Sequence, residues 1–454
     1  MNILIFLPLL SELWRLRRRE RWSRQQLEAH QAKSLRLLRT YAYAHSPFYR
    51  QFHQGLFDRP LHELPVLTKA AMMERFDELV TDRAIRLADV ERHLVTLRGD
   101  ERFLGRYRVN ATSGSTGRRG LFLFDHAEWV TILATFIRAH QWLEGASYFP
   151  PRIRIAAIVS PTPWHMSRRG SATLESSWTP TLRLFASDPV ETLVGRLNEF
   201  QPELLGAYPS VMRALANEQL AGRLHVLPRI VYTGAEVLTP ETRRRIEEAW
   251  GKGKLFDIYG ATESGSLAAE CAHHTGLHLF EDLVIFEVVD RDNRPVVPGV
   301  YGDKLLITVL FTRTQPLIRY ELSDSVRLAE KQDCPCARPF TLITGIQGRM
   351  EDILHFPAET VGEVAIDPTV FDQVMDRVPA GEWQVVQEAD GLDILLSGAP
   401  EGFSDEKLAD DVRLALAAKG VRVPPIRVRR VPAIPRSATG KAPLIKSNLP
   451  RKSP

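Results

Sequence analysis

Between residues 153 and 232 the chain alternates short β-rich runs with helical ones, at 153–159, 190–200, 204–208, 211–220 and 230–232. A strand that rejoins the same sheet in parallel needs a long crossover, and a helix with one apolar face supplies it while covering the sheet. The segment therefore reads as parallel βα layers, the core of an α/β fold. Thr239-Pro240 opens a further helix with a capping hydroxyl and a first-turn proline, and Gly251 closes it.

The flanks have a different texture. From about 27 to 52 the apolar positions recur at helical spacing until Pro47 ends the pattern in a turn, which predicts a helical lobe over about 1–100. After Phe256-Asp257-Ile258-Tyr259 strands dominate, at 278–289 and 304–310, giving a β-subdomain over about 266–347. Beyond Gly348-Arg349, runs at 383–388 and 392–396 flank the turn Ala389-Asp390-Gly391. Ser404 then caps a helix that ends at Gly420, and 426–431 alternates like a strand. A chain of 454 residues exceeds what one core covers, so the expected division is a large multi-subdomain unit at 1–348 and a small, mobile α+β unit at 349–454. The last dozen residues read as a basic tail.

Composition narrows the class. Hydrophobic residues make up 44% and charged ones 25%, and no run is apolar enough to span a bilayer, which fits a globular enzyme. The formal charge of +4 is small and the basic residues are scattered, which argues against nucleic acid as a partner. Met1 to Leu10 is apolar and runs into Arg15, Arg17, Arg18, Arg19 and Arg21, the reverse of a signal peptide. It reads as the start of a helix, with attachment to a membrane surface as the alternative. Three cysteines, Cys271, Cys334 and Cys336, do not make a disulfide scaffold, and a reducing, cytoplasmic setting is expected. The oligomeric state is not legible, and a homodimer is one expectation.

Thr112-Ser113-Gly114-Ser115-Thr116-Gly117 carries the first chemical signal. Glycines let successive amides turn into one concavity and the hydroxyls add donors without bulk, which suits phosphate. Arg118 and Arg119 follow with charge of the right sign. For the run alone, a surface linker is the bland alternative. It is accompanied by Tyr232-Thr233-Gly234-Ala235-Glu236, Tyr259-Gly260-Ala261-Thr262-Glu263-Ser264, Ile318-Arg319-Tyr320 through Asp324, Gly348-Arg349 and Gly440-Lys441.

In order and spacing this set resembles the acyl-adenylate-forming superfamily, and within it the phenylacetate:CoA ligase-like branch, over roughly residues 41–446. The resemblance implies an ATP-dependent carboxylate ligase that makes an acyl-AMP and passes the acyl group to a thiol such as CoA. Thr112, Ser113, Ser115 and Thr116 would grip the β- and γ-phosphates, with Arg118 where lysine is usual. Gly234, Ala235 and Glu236 would form the adenine wall, and Tyr259 would lie beside it. Thr262 would touch the α-phosphate, Glu263 would hold Mg²⁺, Asp324 would bond the ribose, and Arg349 would approach the phosphate. Lys441 would stabilise the adenylation transition state, entering only when the C-terminal domain closes. Surface ion pairs for Asp324 and Arg349, a solvated acid for Glu263 and a tail lysine for Lys441 are the bland alternatives.

Three thiolates and an imidazole suit a closed tetrahedral Zn²⁺ site, and all three cysteines lie near His274 and His278. Relatives with zinc here carry the histidine in a Gly-Leu-His segment, which favours His278, in Gly276-Leu277-His278, as ligand with Cys271, Cys334 and Cys336. Free cysteines are the alternative. The resemblance departs after Arg349, where Met350-Glu351-Asp352-Ile353-Leu354-His355-Phe356-Pro357 lacks the usual basic-glycine pair. That leaves the acceptor open among CoA, a carrier-protein thiol and an amine. A weakened homologue that only binds nucleotide, and a ligase that leaves its nucleotidyl group on a hydroxylated cofactor, also stay open. Ala207-Tyr208-Pro209-Ser210 and Trp164-His165 are expected to border the acyl pocket, whose aromatic walls suit an aryl or heteroaryl acid, or else to pack the core.

Overall fold

The computed structural model describes residues 3–112, 119–144, 153–174, 179–349, 353–366, 368–375, 378, 380–437 and 439–449. A hairpin of β1 (Arg108–Ala111) and β2 (Leu121–Phe124) leads into β3 (Ile155–Val159), β4 (Thr181–Phe185), β5 (Leu204–Ala207), β6 (Ile230–Gly234) and β7 (Leu255–Ala261). The last five pair in parallel, in the spatial order β7-β6-β5-β3-β4. Helices Val190–Phe200, Pro209–Leu220 and Pro240–Trp250 provide crossovers. Their inward residues Leu193, Val211, Leu215 and Ile246 form one core with Ala156, Leu205 and Val231 of the strands. The boundaries follow the sequence signals closely: Thr239 accepts from the Thr242 amide, Pro240 is the first helical residue, and Gly251 ends the helix at φ 102°.

The sheet continues with antiparallel β8 (Gly265–Glu270) and β9 (Leu277–Leu279). Next come β10 (Val284–Val289), β11 (Lys304–Val309) and β12 (Tyr320–Leu322), which form a separate three-stranded sheet. The strands β13 (Asp324–Leu328) and β14 (Leu342–Arg349) complete the nine-stranded one. The strand expected over 278–289 is thus two strands, because the Phe280 amide bonds Leu267 O and the chain turns before β10 joins the other sheet. On the sheet's other face, helix His126–Glu144 and the N-terminal helices share a large core that includes Leu38, Phe48, Trp129 and Leu133.

Ile3–Arg19 is helical, and Ser23 with Gln26 makes a reciprocal capping box at the start of Arg24–His45. Pro47 ends no pattern in a turn: Ser46 caps a new helix, Pro47–Phe52, in which the proline is the first residue. Residues 354–445 hold a core of their own, with Leu354, Trp383, Ile394 and Leu408. It is built on β15 (Leu354–Pro357), β16 (Glu363–Ile366), β17 (Glu382–Glu388), β18 (Gly391–Ser397), β19 (Ile426–Arg430) and β20 (Ile445–Ser447). Helix Asp405–Ala417, capped by Ser404, packs on the four-stranded sheet β19-β18-β17-β20.

Candidate active site

The hairpin β1–β2 carries the small-residue loop at its tip. Thr112 closes it, its amide donating to Gly120 O at 3.0 Å and its hydroxyl accepting from the Gly120 amide at 2.9 Å. Ser113, Ser115, Thr116 and Arg118 lie outside the described residues.

Strand β6 ends in Thr233-Gly234, where the wall expected for adenine begins. A Cβ on Gly234 would stand 2.7 Å from Ile258 O on β7, so the close approach of the two strands requires glycine there. Ala235 then adopts φ 67°, a costly conformation for a residue with a Cβ and one concentrated at functional sites. The Glu236 carboxylate accepts from the Ser210 amide at 3.0 Å and the Ala442 amide at 3.1 Å, while burial pushes its pKa up. Lys441 arrives from the C-terminal unit, donating to Ala235 O at 2.8 Å, with Nζ 5.7 Å from the centroid of the Tyr208 ring.

Arg436 ties this strap down by donating to Ser210 Oγ at 3.2 Å and to Glu382 Oε1 at 2.5 Å. Sequence reasoning assigned no role to Arg436 or Glu382, and it placed Ser210 only at the border of the acyl pocket. Their signal was weak: Arg436 sits in the same motif as Lys441, and Ser210 beside Tyr208.

Farther along the sheet, Tyr259 at the end of β7 donates its hydroxyl to Asp324 Oδ2 at 2.7 Å, joining two residues 65 apart in sequence. Asp324 faces Arg349 across the β13–β14 register, and of Arg349 only the backbone belongs to the described part. Thr262 and Glu263 form the β7–β8 turn, with Glu263 only 5% exposed. On the side expected to border the acyl pocket, His165 is buried and hydrogen bonded to Ser167 Oγ at 2.9 Å, with the Tyr208 hydroxyl 3.4 Å from that oxygen. Burial, aided by the Lys441 charge, pushes the His165 pKa down to about 3 and keeps the ring neutral.

Beneath the wall runs a polar row that sequence reading missed. Thr233 donates to Asp257 Oδ1 at 2.8 Å, the Asp257 amide donates to Glu270 Oε2 at 2.9 Å, and Arg243 pairs with Glu270 at 2.6 Å. Burial, reinforced by the Glu270 charge, pushes Asp257 up to about 7. Cys271 follows Glu270 directly.

The ligand atoms of Cys271, His278, Cys334 and Cys336 all lie within 4.8 Å of one another. Cys271 Sγ is 3.5 Å from Cys334 Sγ, and Cys336 Sγ is 3.3 Å from His278 Nε2. The other ring nitrogen, Nδ1, stands 3.4 Å from Phe340 O, the kind of outer contact that fixes a ligating tautomer. His274 lies apart from the cluster, 3.5 Å from Glu270 and packed on the Phe256 ring. Burial and the neighbouring thiols push Cys271 up to about 12, so a cation is what would let that sulfur ionise. Three sulfurs and one imidazole nitrogen at this separation fit zinc's donor preference.

Residues 109–307 match the AMP-binding enzyme family. The phenylacetate-coenzyme A ligase of Thermus thermophilus is 25% identical over 400 residues, covering 81% of this chain and 80% of its own. Among solved structures, 2-hydroxyisobutyryl-CoA ligase in the postadenylation state, in complex with R3-HIB-AMP, superimposes with a TM-score of 0.73 at 20% identity. That match covers 95% of this chain and 91% of the other. The same ligase in complex with 2-HIB-AMP and CoA, in the thioesterification state, gives 0.60 at 20% identity, covering 95% and 92%. Beside the glycine-walled β6 end and its facing lysine, these matches make residues 109–307 similar to the AMP-binding enzymes, most of the chain similar to phenylacetate-coenzyme A ligase, and the fold that of 2-hydroxyisobutyryl-CoA ligase.

Proposed function

We propose that this protein activates a carboxylic acid with ATP as an acyl-AMP and then passes the acyl group to the thiol of coenzyme A. The observation that carries the reading is Lys441, held by a separate core yet placed against the Ala235 carbonyl beside Glu236 and Tyr208. In the first half-reaction a carboxylate oxygen attacks the α-phosphorus, pyrophosphate leaves, and charge builds on the α-phosphoryl oxygens. Lys441 and Arg349 supply opposite charge there, and Thr262 orients the α-phosphate. Thr112, Ser113, Ser115, Thr116 and Arg118 hold the β- and γ-phosphates.

Gly234, Ala235, Glu236 and Tyr259 flank the adenine, and Asp324 accepts from the ribose. Glu263 would hold Mg²⁺, which offsets charge on the triphosphate. Cys271, His278, Cys334 and Cys336 would hold a structural zinc, since four protein ligands leave no open position. Tyr208 and Trp164 suit an aryl acid, and neutral His165 lines that side without adding charge.

In the second half-reaction the thiolate attacks the acyl carbonyl and AMP leaves. It requires the small unit beginning at about 349 to rotate Lys441 out. The missing basic-glycine pair after Arg349 favours one further reading, a carrier-protein thiol or an amine as acceptor.

The test is acid-dependent exchange of pyrophosphate into ATP over a panel of aryl and aliphatic acids, followed by mass analysis of the product with CoA. Exchange and an acyl-CoA product are expected. Folded protein that binds ATP with Mg²⁺ but exchanges with no acid would overturn adenylation; exchange without acyl-CoA would move the acceptor to a carrier thiol or amine.

A further inference from the structure

The helix Ile3–Arg19 buries one face and leaves the other bare. Ile5, Leu9 and Leu16 enter the large core. On the opposite side Phe6, Leu7, Leu10 and Trp14 are 36, 62, 38 and 60% exposed. Their spacing i, i+1, i+4 and i+8 sets them in one stripe along the helix.

Arg17 and Arg18 extend that stripe by a turn, and Arg21 follows just past the helix end. The acids of the segment point inward. Glu12 is buried and paired with Arg15, and Glu20 pairs with the buried Arg138 and with Arg338. Among the described residues no carboxylate pairs with Arg17, Arg18 or Arg21. The Arg18 guanidinium lies 4.7 Å from the Trp14 ring centroid, so the cation sits directly on the apolar patch.

An apolar stripe bordered by unpaired guanidinium groups and one tryptophan matches the interface of an anionic bilayer, where acyl chains take the first and lipid phosphates the second. No described helix is long and apolar enough to cross a membrane, so contact would be peripheral. The four side chains expose on the order of 400 Å², about half of what each partner buries in a stable protein interface, which makes a second copy the poorer occupant.

We propose that this face docks the enzyme reversibly on an anionic lipid surface, with Phe6, Leu7, Leu10 and Trp14 at the headgroup–acyl boundary and Arg17, Arg18 and Arg21 on lipid phosphates. The experiment is flotation of the full chain with phosphatidylcholine vesicles, with and without phosphatidylglycerol, at low and high salt. The wild type should float with the anionic vesicles, less so in high salt, and stay behind with pure phosphatidylcholine. Replacing Arg17, Arg18 and Arg21 by Gln should weaken binding by roughly tenfold or more. Replacing Phe6, Leu7, Leu10 and Trp14 by Ser should abolish it, both variants keeping the wild-type unfolding temperature. Absence of wild-type flotation, or equal flotation of folded variants, would overturn the proposal. So would a dimer that the serine variant dissolves in protein that binds no vesicles, which would assign the face to a second copy.

Discussion

Lys441 donates to the carbonyl of Ala235, a residue at φ 67°, at the end of β6, and that contact alone does not need its charge: Ala235 O would accept from any donor. The charge favours the ionised form of neighbouring Glu236 and has most to act on where negative charge develops, at a transferring phosphoryl group. Lys441→Ala should therefore lower acid-dependent pyrophosphate exchange by about 10²–10³, the loss typical for one pre-placed donor, while ATP affinity changes little. Exchange at the wild-type rate would sink the role given to it. Asp257 offers a residue-scale test of the row under the wall. Its folded pKa stands near 7 against a usual 3.8, so the ionised form is disfavoured in the folded protein. That contribution to stability is complete below about pH 4 and is lost as pH rises towards 7. Asp257→Asn keeps an acceptor for Thr233 and cannot ionise. Relative to wild type it should be more stable at pH 8 than at pH 5 by on the order of 2 kcal/mol, read from urea unfolding. A pH-independent difference would refute the assignment.

Single elements explain why the thiol–imidazole cluster sits where it does. Cys271 directly follows β8, His278 lies on β9, and β14 pairs with β9 while the Cys334–Cys336 loop precedes it. Three strands and a loop converge on one point, and a metal there would staple the last third of the sheet. Purified protein should carry roughly one zinc per chain, and Cys334→Ser should lower both zinc content and stability, the latter by about 2 kcal/mol or more. Metal-free protein of unchanged stability would dismiss it. The parallel region was legible from sequence because each strand is a short buried run bounded by helix signals, as in β5, all four residues of which are buried. The choice of His278 came from resemblance, since spacing admits His274 as well. The row Thr233, Asp257 and Glu270 was not legible: it exists only because β6, β7 and β8 lie side by side in one register, with Thr233 opposite Asp257. Pro47 was misread for a related reason, since a proline that stops one helix and one that starts the next look alike until Ser46 is seen to cap.

At the scale of the molecule, polar contacts among the described residues join the small C-terminal core to the large one: Arg213 and Asn217 donate to Ala380 O and Gly381 O, and Arg436, Lys441 and Ala442 grip the end of β6 and Ser210. Interfaces of that kind open readily. The fold superimposes better on 2-hydroxyisobutyryl-CoA ligase in its postadenylation form, with a TM-score of 0.73, than in its thioesterification form, with 0.60. Gly440 is the residue through which this arrangement can be probed without touching a charged group. Its φ is 81°, and a Cβ there would stand 2.7 Å from Ala186 Cβ, just past the end of β4. An added methyl is thus strained in the backbone, within the turn that Ser437 and Lys441 close, and it also collides with the large unit, a penalty that belongs to the closed state alone. Gly440→Ala should slow pyrophosphate exchange roughly tenfold or more. Thioester formation from preformed acyl-AMP, the step for which the proposed function has Lys441 leave, should fall much less. Equal loss in both half-reactions would mean that the methyl damages the small unit itself, and no loss in either would mean that closure does not run through Gly440.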